Sequence, residues 1–128
     1  MKKLIILVLL MSWFTFACSD GPDLVPHEEG MYQFCIVNDS NELLVSVRNN
    51  GNMATTIPVP VIVDFGGFPS VTRTLPPMLV GEVQTLSPVA FPAGCFNPDC
   101  GLEIIVDPLD VLDEKNETNN TVIGNCIG

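Results

Sequence analysis

The chain has 128 residues, 47% of them apolar, with 15 acidic and 5 basic side chains and one histidine, giving a formal net charge of −10. That length fits one domain of ordinary size, and a surface so acidic repels nucleic acid and anionic lipid. Acidity with few aromatics can signal disorder, but abundant Val, Ile and Leu in short runs argue against it here.

The first 17 residues have the pattern of a signal peptide: Lys2 and Lys3, then the apolar run Leu4–Met11, then the small residues Thr15 and Ala17 before Cys18. The run is shorter than the roughly 20 residues of a membrane-spanning helix. Thr15-Phe16-Ala17 is a small-x-small signal for ordinary secretion. Ala17-Cys18 also resembles the lipobox of bacterial lipoproteins, in which the cysteine becomes the lipidated first residue. The chain has 5 cysteines: Cys18, Cys35, Cys95, Cys100 and Cys126. Lipid on Cys18 leaves an even number for pairing. The expected product is therefore exported and lipid-anchored through Cys18 at the bacterial envelope or cell surface, with plain secretion as the alternative. Without Lys2 and Lys3, 3 basic residues (Arg48, Arg73, Lys115) stand against 15 acids, a net charge of −12.

Cys18–Glu29, with Gly21, Pro22 and Pro26, reads as a tether, and 30–128 as the folded domain. No stretch sustains a 3.6-residue apolar period, so helix is minor. Strands are expected over Met31–Val37, Leu43–Arg48, Val59–Phe65, Val71–Leu75, Val83–Ser87, Leu102–Asp107 and Thr121–Ile123. Alternation puts Leu43, Val45 and Val47 on one face, and likewise Leu102, Ile104 and Val106. Ile105 breaks the polar face and calls for a covering loop. Pro58 and Pro60 cannot donate ladder bonds, so the third strand starts raggedly or lies at an edge. "RNNGN" (Arg48–Asn52), "FGGFP" (Phe65–Pro69) and "LVGE" (Leu79–Glu82) supply turns. About seven short strands at this spacing predict an all-β, immunoglobulin-like sandwich.

Several stretches resemble the bacterial cell-adhesion-related domain family abbreviated CARDB: "PDLVP" (Pro22–Pro26), "VSVRNNGNMAT" (Val45–Thr55), "LPPMLVGEVQTL" (Leu75–Leu86) and "IIVDPLDVLDEKNETNN" (Ile104–Asn120). They fall in the family's order and span most of the chain beyond Cys18. The last is the most specific, because members carry Val-Asp and finish on Glu-x-Asn-Asn. The resemblance implies an immunoglobulin-like sandwich and a role at the cell surface or outside the cell, without implying a ligand. Members are often repeated modules of large proteins, whereas this sequence carries one copy, which tells against a multivalent stalk.

Cys95 and Cys100 bracket the turn-forming "FNPD", a spacing that lets them bridge. Cys35 in the first strand and Cys126 after the last can meet, since those strands can run side by side in such sandwiches. The expected disulfides are Cys95–Cys100 and Cys35–Cys126. A four-cysteine zinc site is the alternative, but only one pair is closely spaced and export favours oxidation.

Catalysis finds no support. The sole histidine, His27, lies in the expected tether, and there is no nucleophile–base arrangement, phosphate-binding glycine loop or HExxH zinc motif. Acids crowded in one connection do not make the cleft of a glycosidase. A secreted carbohydrate-binding module is a rival reading, weakened because Trp13 precedes Cys18 and Tyr32 is then the only amphipathic aromatic. Phe65 and Phe68 flank Gly66-Gly67; either both cap the core or they form a contact loop.

The acids Asp107, Asp110, Asp113, Glu114 and Glu117 form a candidate calcium set, because calcium takes six to eight oxygen ligands. Their spacing of three and the lack of an EF-hand glycine favour a structural connection, with Asn116, Asn119 and Asn120 closing the turn, Val111 and Leu112 tucked inward, and the acids in water. The function expected overall is non-catalytic, adhesion-type binding of a protein or cell-envelope ligand, with no cofactor beyond calcium and no nucleic acid. A purely structural envelope lipoprotein is the alternative.

Overall fold

Alternating apolar residues lay down nine short strands in a computed structural model that describes residues 20–128. They are β1 (Leu24–His27), β2 (Ile36–Val37), β3 (Leu43–Leu44), β4 (Ser46–Asn49), β5 (Val59–Asp64), β6 (Val71–Leu75), β7 (Val83–Thr85), β8 (Cys100–Val106) and β9 (Thr121–Cys126). The expected signal peptide and Cys18 lie outside the described residues. Among the described residues no helix is long and apolar enough to cross a membrane.

The strands form a three-stranded sheet β1-β4-β7, a four-stranded sheet β6-β5-β8-β9 and the small pair β2-β3, with antiparallel pairing throughout. Leu24 and Val47 of the first sheet, with Val45 just before β4, bury against Val59, Val61, Val63, Leu75, Leu102, Ile104 and Val106 of the second. This is the sandwich arrangement, two inner faces sharing one apolar layer. The inward alternation expected in the strands around Val45 and Ile104 holds at every position named.

Two expectations need correction, and two open alternatives are decided. The tether Cys18–Glu29 is partly strand: β1 pairs with β4 in the register Leu24↔Asn49 to His27↔Ser46, and Leu24 is fully buried. Its apolar Leu24 and Val25 earn a place in the sheet that Pro22 and Pro26 on either side obscured. The strand expected over Met31–Val37 shrinks to Ile36–Val37, because Gly30, Gln33 and Phe34 all have positive φ and turn the chain. β5 is central, not an edge: it pairs with β6 and β8, and the β8 ladder starts only at Val61, so the missing Pro60 N–H falls outside it. Finally, Phe65 is core, packed edge-to-face on Phe91 at 5.9 Å, and Phe68 lies partly buried against the same core. Those two do not form an exposed contact loop.

The register sorts the loops to two poles. One pole, here called proximal, holds Asp20, the β4–β5 loop, the β6–β7 loop and the β8–β9 loop. Two contacts tie these together: Thr55 N–H donates to Met78 O at 2.8 Å, and Lys115 N–H donates to Pro22 O at 2.8 Å. The distal pole holds residues 28–42, the Gly66-Gly67 turn and the C-terminus. Both disulfides sit there, Cys35–Cys126 with Cα atoms 5.2 Å apart and Cys95–Cys100 with 5.0 Å.

Candidate functional site

The acidic loop after β8 is a clasp on the backbone. Asp107, 5% exposed, turns the chain at φ 53° and accepts from Val111 N–H (Oδ1, 2.8 Å) and Leu112 N–H (Oδ2, 3.0 Å). Carboxylates cap such turns readily because their oxygens are acceptors only. Glu114, 7% exposed, accepts from Leu24 N–H at 2.7 Å and from Asn120 Nδ2 at 2.7 Å. Glu117 accepts from Glu114 N–H at 2.6 Å. Asn119 Nδ2 donates to Asp23 Oδ1 at 2.9 Å, and Asn116 Oδ1 takes Thr118 N–H at 2.9 Å. Asp110 and Asp113 remain exposed. The expectation that all five acids lie in water is thus corrected for Asp107 and Glu114, which are buried because each satisfies two N–H groups. Leu112 packs against the core as expected, whereas Val111 is largely exposed.

Burial raises the Glu114 carboxyl to about 7; the Leu24 N–H and Asn120 amide oppose the shift, while the Glu117 and Asp107 charges add to it. Glu117 is raised too: the Glu114 N–H lowers it, but desolvation and the neighbouring Asp110 and Asp107 outweigh that bond. Among the described residues no three His, Cys, Asp or Glu side chains converge as a metal-holding group. Both oxygens of Asp107 and of Glu114, and one of Glu117, are turned to N–H donors.

The "RNNGN" turn grips the same N-terminal segment from the other side. Asn49, fully buried, accepts from Asp23 N–H (3.1 Å) and Gly51 N–H (3.0 Å) and donates to Met53 O (2.8 Å). Asn52 accepts from Gly21 N–H at 2.9 Å and donates to Asp20 Oδ1 at 2.8 Å. A Cβ on Gly51 would stand 2.6 Å from Asp23 N and 2.7 Å from Pro22 C. Only glycine lets the two backbones approach so closely. Three of the stretches quoted above, from "PDLVP" to "NETNN", therefore meet at one place.

A second feature lies between the sheets nearer the distal pole. A cavity of about 220 Å³ has an apolar floor of Phe34, Leu44 and Ile104 and a rim of His27, Glu28, Ser46 and Thr85. Glu28 holds the loop beneath it, accepting from Tyr32 N–H and, at 3.1 Å, from Phe34 N–H. Ser46 and Thr85 hydroxyls bond across β4 and β7 at 2.8 Å. Sequence reading missed this cavity because it assigned His27 and Glu28 to a tether. The available signal was "HEEG", acids ending on a glycine able to turn.

A family model, CARDB, matches residues 21–123. The chain belongs to the CARDB family. Among solved structures, this CARDB domain is similar to one domain of a protein from Methanosarcina acetivorans assigned to the cell surface: 24% identity, 84% of this chain and 91% of that chain covered, TM-score 0.65. It is also similar to the CARDB domain of a Pyrococcus furiosus protein determined in complex with di-metal ions: 23% identity, 85% and 94% covered, TM-score 0.52. At such identities these likenesses speak for the CARDB fold alone. No curated protein sequence matches the chain.

Proposed function

We propose that this CARDB domain is a non-catalytic binding module of the cell envelope, exported by the signal peptide and anchored through lipid on Cys18. The binding seat is the cavity rimmed by β1, β4 and β7. Its size carries the reading. At about 220 Å³ it is smaller than the roughly 300–1,000 Å³ of small-molecule sites, and it suits one apolar side chain of a partner protein. Burying such an anchor in a desolvated pocket is how most interface energy is gained. Glu28 and Glu29 at the mouth, on a chain of net charge −12 beyond its two N-terminal lysines, favour basic residues flanking that anchor. The two hydroxyls on the rim, Ser46 and Thr85, bond each other at 2.8 Å and, within the described residues, make no bond to His27, which supports binding over catalysis.

Calcium is not part of this proposal. Within the acidic loop, Asp107 and Glu114 already serve two donors each.

The test is titration with a panel of peptides carrying one Phe or Leu between lysines. Binding that weakens with salt and disappears in Thr85→Trp, which fills the cavity, supports the seat. Equal binding by the filled variant, or preference for acidic peptides, refutes it. Mass spectrometry of the mature N-terminus tests the anchor: an acyl mass on Cys18, absent in Cys18→Ala, is expected.

A further inference from the structure

We infer that the proximal pole rests directly on a lipid bilayer, with Leu79, Val80, Met53 and Leu109 as its contact points. This rests on the Cys18 anchor proposed above, and it follows from the loss of the expected tether. A free linker over Cys18–Glu29 would hold the domain well clear of the membrane, at up to about 3.5 Å per residue. Instead Asp20 and Gly21 are already tied to the domain: Asn52 Nδ2 donates to Asp20 Oδ1, Gly21 N–H donates to Asn52 Oδ1, and Asn52 N–H donates to Gly21 O at 3.1 Å. From Cys18 to Asp20 there remain two residues, a reach of about 7 Å. A lipid on Cys18 thus keeps the loop at Asn52 within about that distance of the headgroups.

What surrounds that loop is apolar and exposed. Met53 follows Asn52 and is half exposed. The "LVGE" turn stands beside it, held by Gly81 N–H to Asn49 O (2.9 Å) and Met78 N–H to Thr55 Oγ1 (2.7 Å), and it lifts Leu79, 69% exposed, and Val80 into solvent. Leu109, 76% exposed, projects from the clasp loop at the same pole. Apolar tips on rigid turns are suited to shallow insertion at the headgroup boundary. Lys115, the only lysine after Cys18, lies at this pole, bonded through its N–H to Pro22 O. Asp110, Asp113 and Glu117 are exposed there too, so the contact is shallow and favours zwitterionic over anionic lipid.

The chain from Cys18 onward contains no tryptophan, since Trp13 is the only one. The acylated full-length product, carrying Leu79→Trp, Leu109→Trp or, as a distal control, Met31→Trp, is bound to phosphatidylcholine vesicles with brominated acyl chains. Near-UV spectra and melting curves check that each variant folds. The expected result is at least twofold quenching and a blue shift at positions 79 and 109, with position 31 unchanged, and weaker quenching as anionic lipid is added. Acylated protein held on the vesicles, with all three positions equally unquenched, overturns the inference and leaves the anchor standing. Protein with no acyl group on Cys18 that stays off vesicles overturns both. Quenching at 79 that appears only with a partner protein present assigns the pole to that protein and also overturns it.

Discussion

Glu114 Oε2 accepts the Leu24 N–H at 2.7 Å, joining residues 90 positions apart. Its other oxygen takes the Asn120 amide, so one carboxylate pins β1 to the loop that precedes β9. A raised folded-state value, about 7 against 4.5, means that the folded protein holds this proton more tightly than the unfolded chain. The folded state therefore binds more protons between those values, and the Glu114 contribution falls as pH rises from about 4.5 to 7. At about 1.4 kcal/mol per unit over a rise of about 2.5 units, the loss is on the order of 3–4 kcal/mol. Glu114→Gln keeps an acceptor for Leu24 and can donate to Asn120 Oδ1, which has no protein partner. Denaturant titrations across pH 4.5–8 should show this variant with a flattened slope and wild-type stability or better at pH 8. Glu114→Ala leaves the Leu24 N–H unsatisfied and also removes the titrating group, so it should cost about 2 kcal/mol or more at pH 4.5 and clearly less at pH 8.

Gly51→Ala tests the grip from the other side. The added methyl collides with backbone atoms of Pro22 and Asp23, not with a side chain that could swing away. Either the turn or the N-terminal segment must move, breaking the Asn49 and Asn52 bonds to Asp23 and Gly21. A loss of about 2–3 kcal/mol is expected. Gly67→Ala, where a Cβ meets nothing within 4 Å, should be within about 0.5 kcal/mol of wild type. Hydrogen exchange should show faster exchange of the Asp23 and Leu24 amides in Gly51→Ala only.

Much of this fold was legible in the sequence wherever a period of two met a buried face. Val59–Asp64 and Cys100–Val106 are such strands, and their inward residues are the core. The signature loop was legible as a connection, but not its acids' burial. Spacing shows that Glu114 is a carboxylate; only folding brings Leu24 N–H, from the far end of the chain, within reach of it. The same holds for β1. Prolines at 22 and 26 look like linker residues locally, and the partner that makes Leu24–His27 a strand is Ser46–Asn49, some twenty residues on. The cavity was hidden for this reason too, since its rim joins β1, β4 and β7.

The two disulfides differ in what they constrain. Cys35–Cys126 closes a separation of 91 residues and Cys95–Cys100 one of 5. In the loop-entropy account the first stabilises by about 4.6 kcal/mol and the second by about 2. The double variant Cys35→Ala/Cys126→Ala should therefore lose about twice the unfolding free energy of Cys95→Ala/Cys100→Ala. Its loss should also appear locally, because the bridge holds residues 33–35 against β9, where Asn125 N–H donates to Gln33 O at 2.9 Å. Non-reducing denaturant melts measure both effects; equal losses would show that the long bridge acts on native strain instead of on chain entropy.

Asp107 separates the two readings of the acidic loop. As a turn cap it serves two N–H groups from a positive-φ position that Asn tolerates and Ala does not. Asp107→Asn keeps the backbone preference and one acceptor, so it should cost about 1 kcal/mol; Asp107→Ala loses both bonds and strains the turn, costing about 2–3 kcal/mol. These costs should be the same with calcium or with chelator, and millimolar calcium should leave the wild-type Tm in place. A calcium ligand behaves otherwise. A bound ion stabilises the folded state by mass action, so Asn and Ala at 107 would both abolish a calcium-dependent rise in Tm. Thermal melts of the three proteins, with and without calcium, therefore distinguish a graded, ion-independent pattern from an all-or-none, ion-dependent one. The carboxylate geometry, with each Asp107 oxygen already on a backbone N–H, predicts the graded pattern.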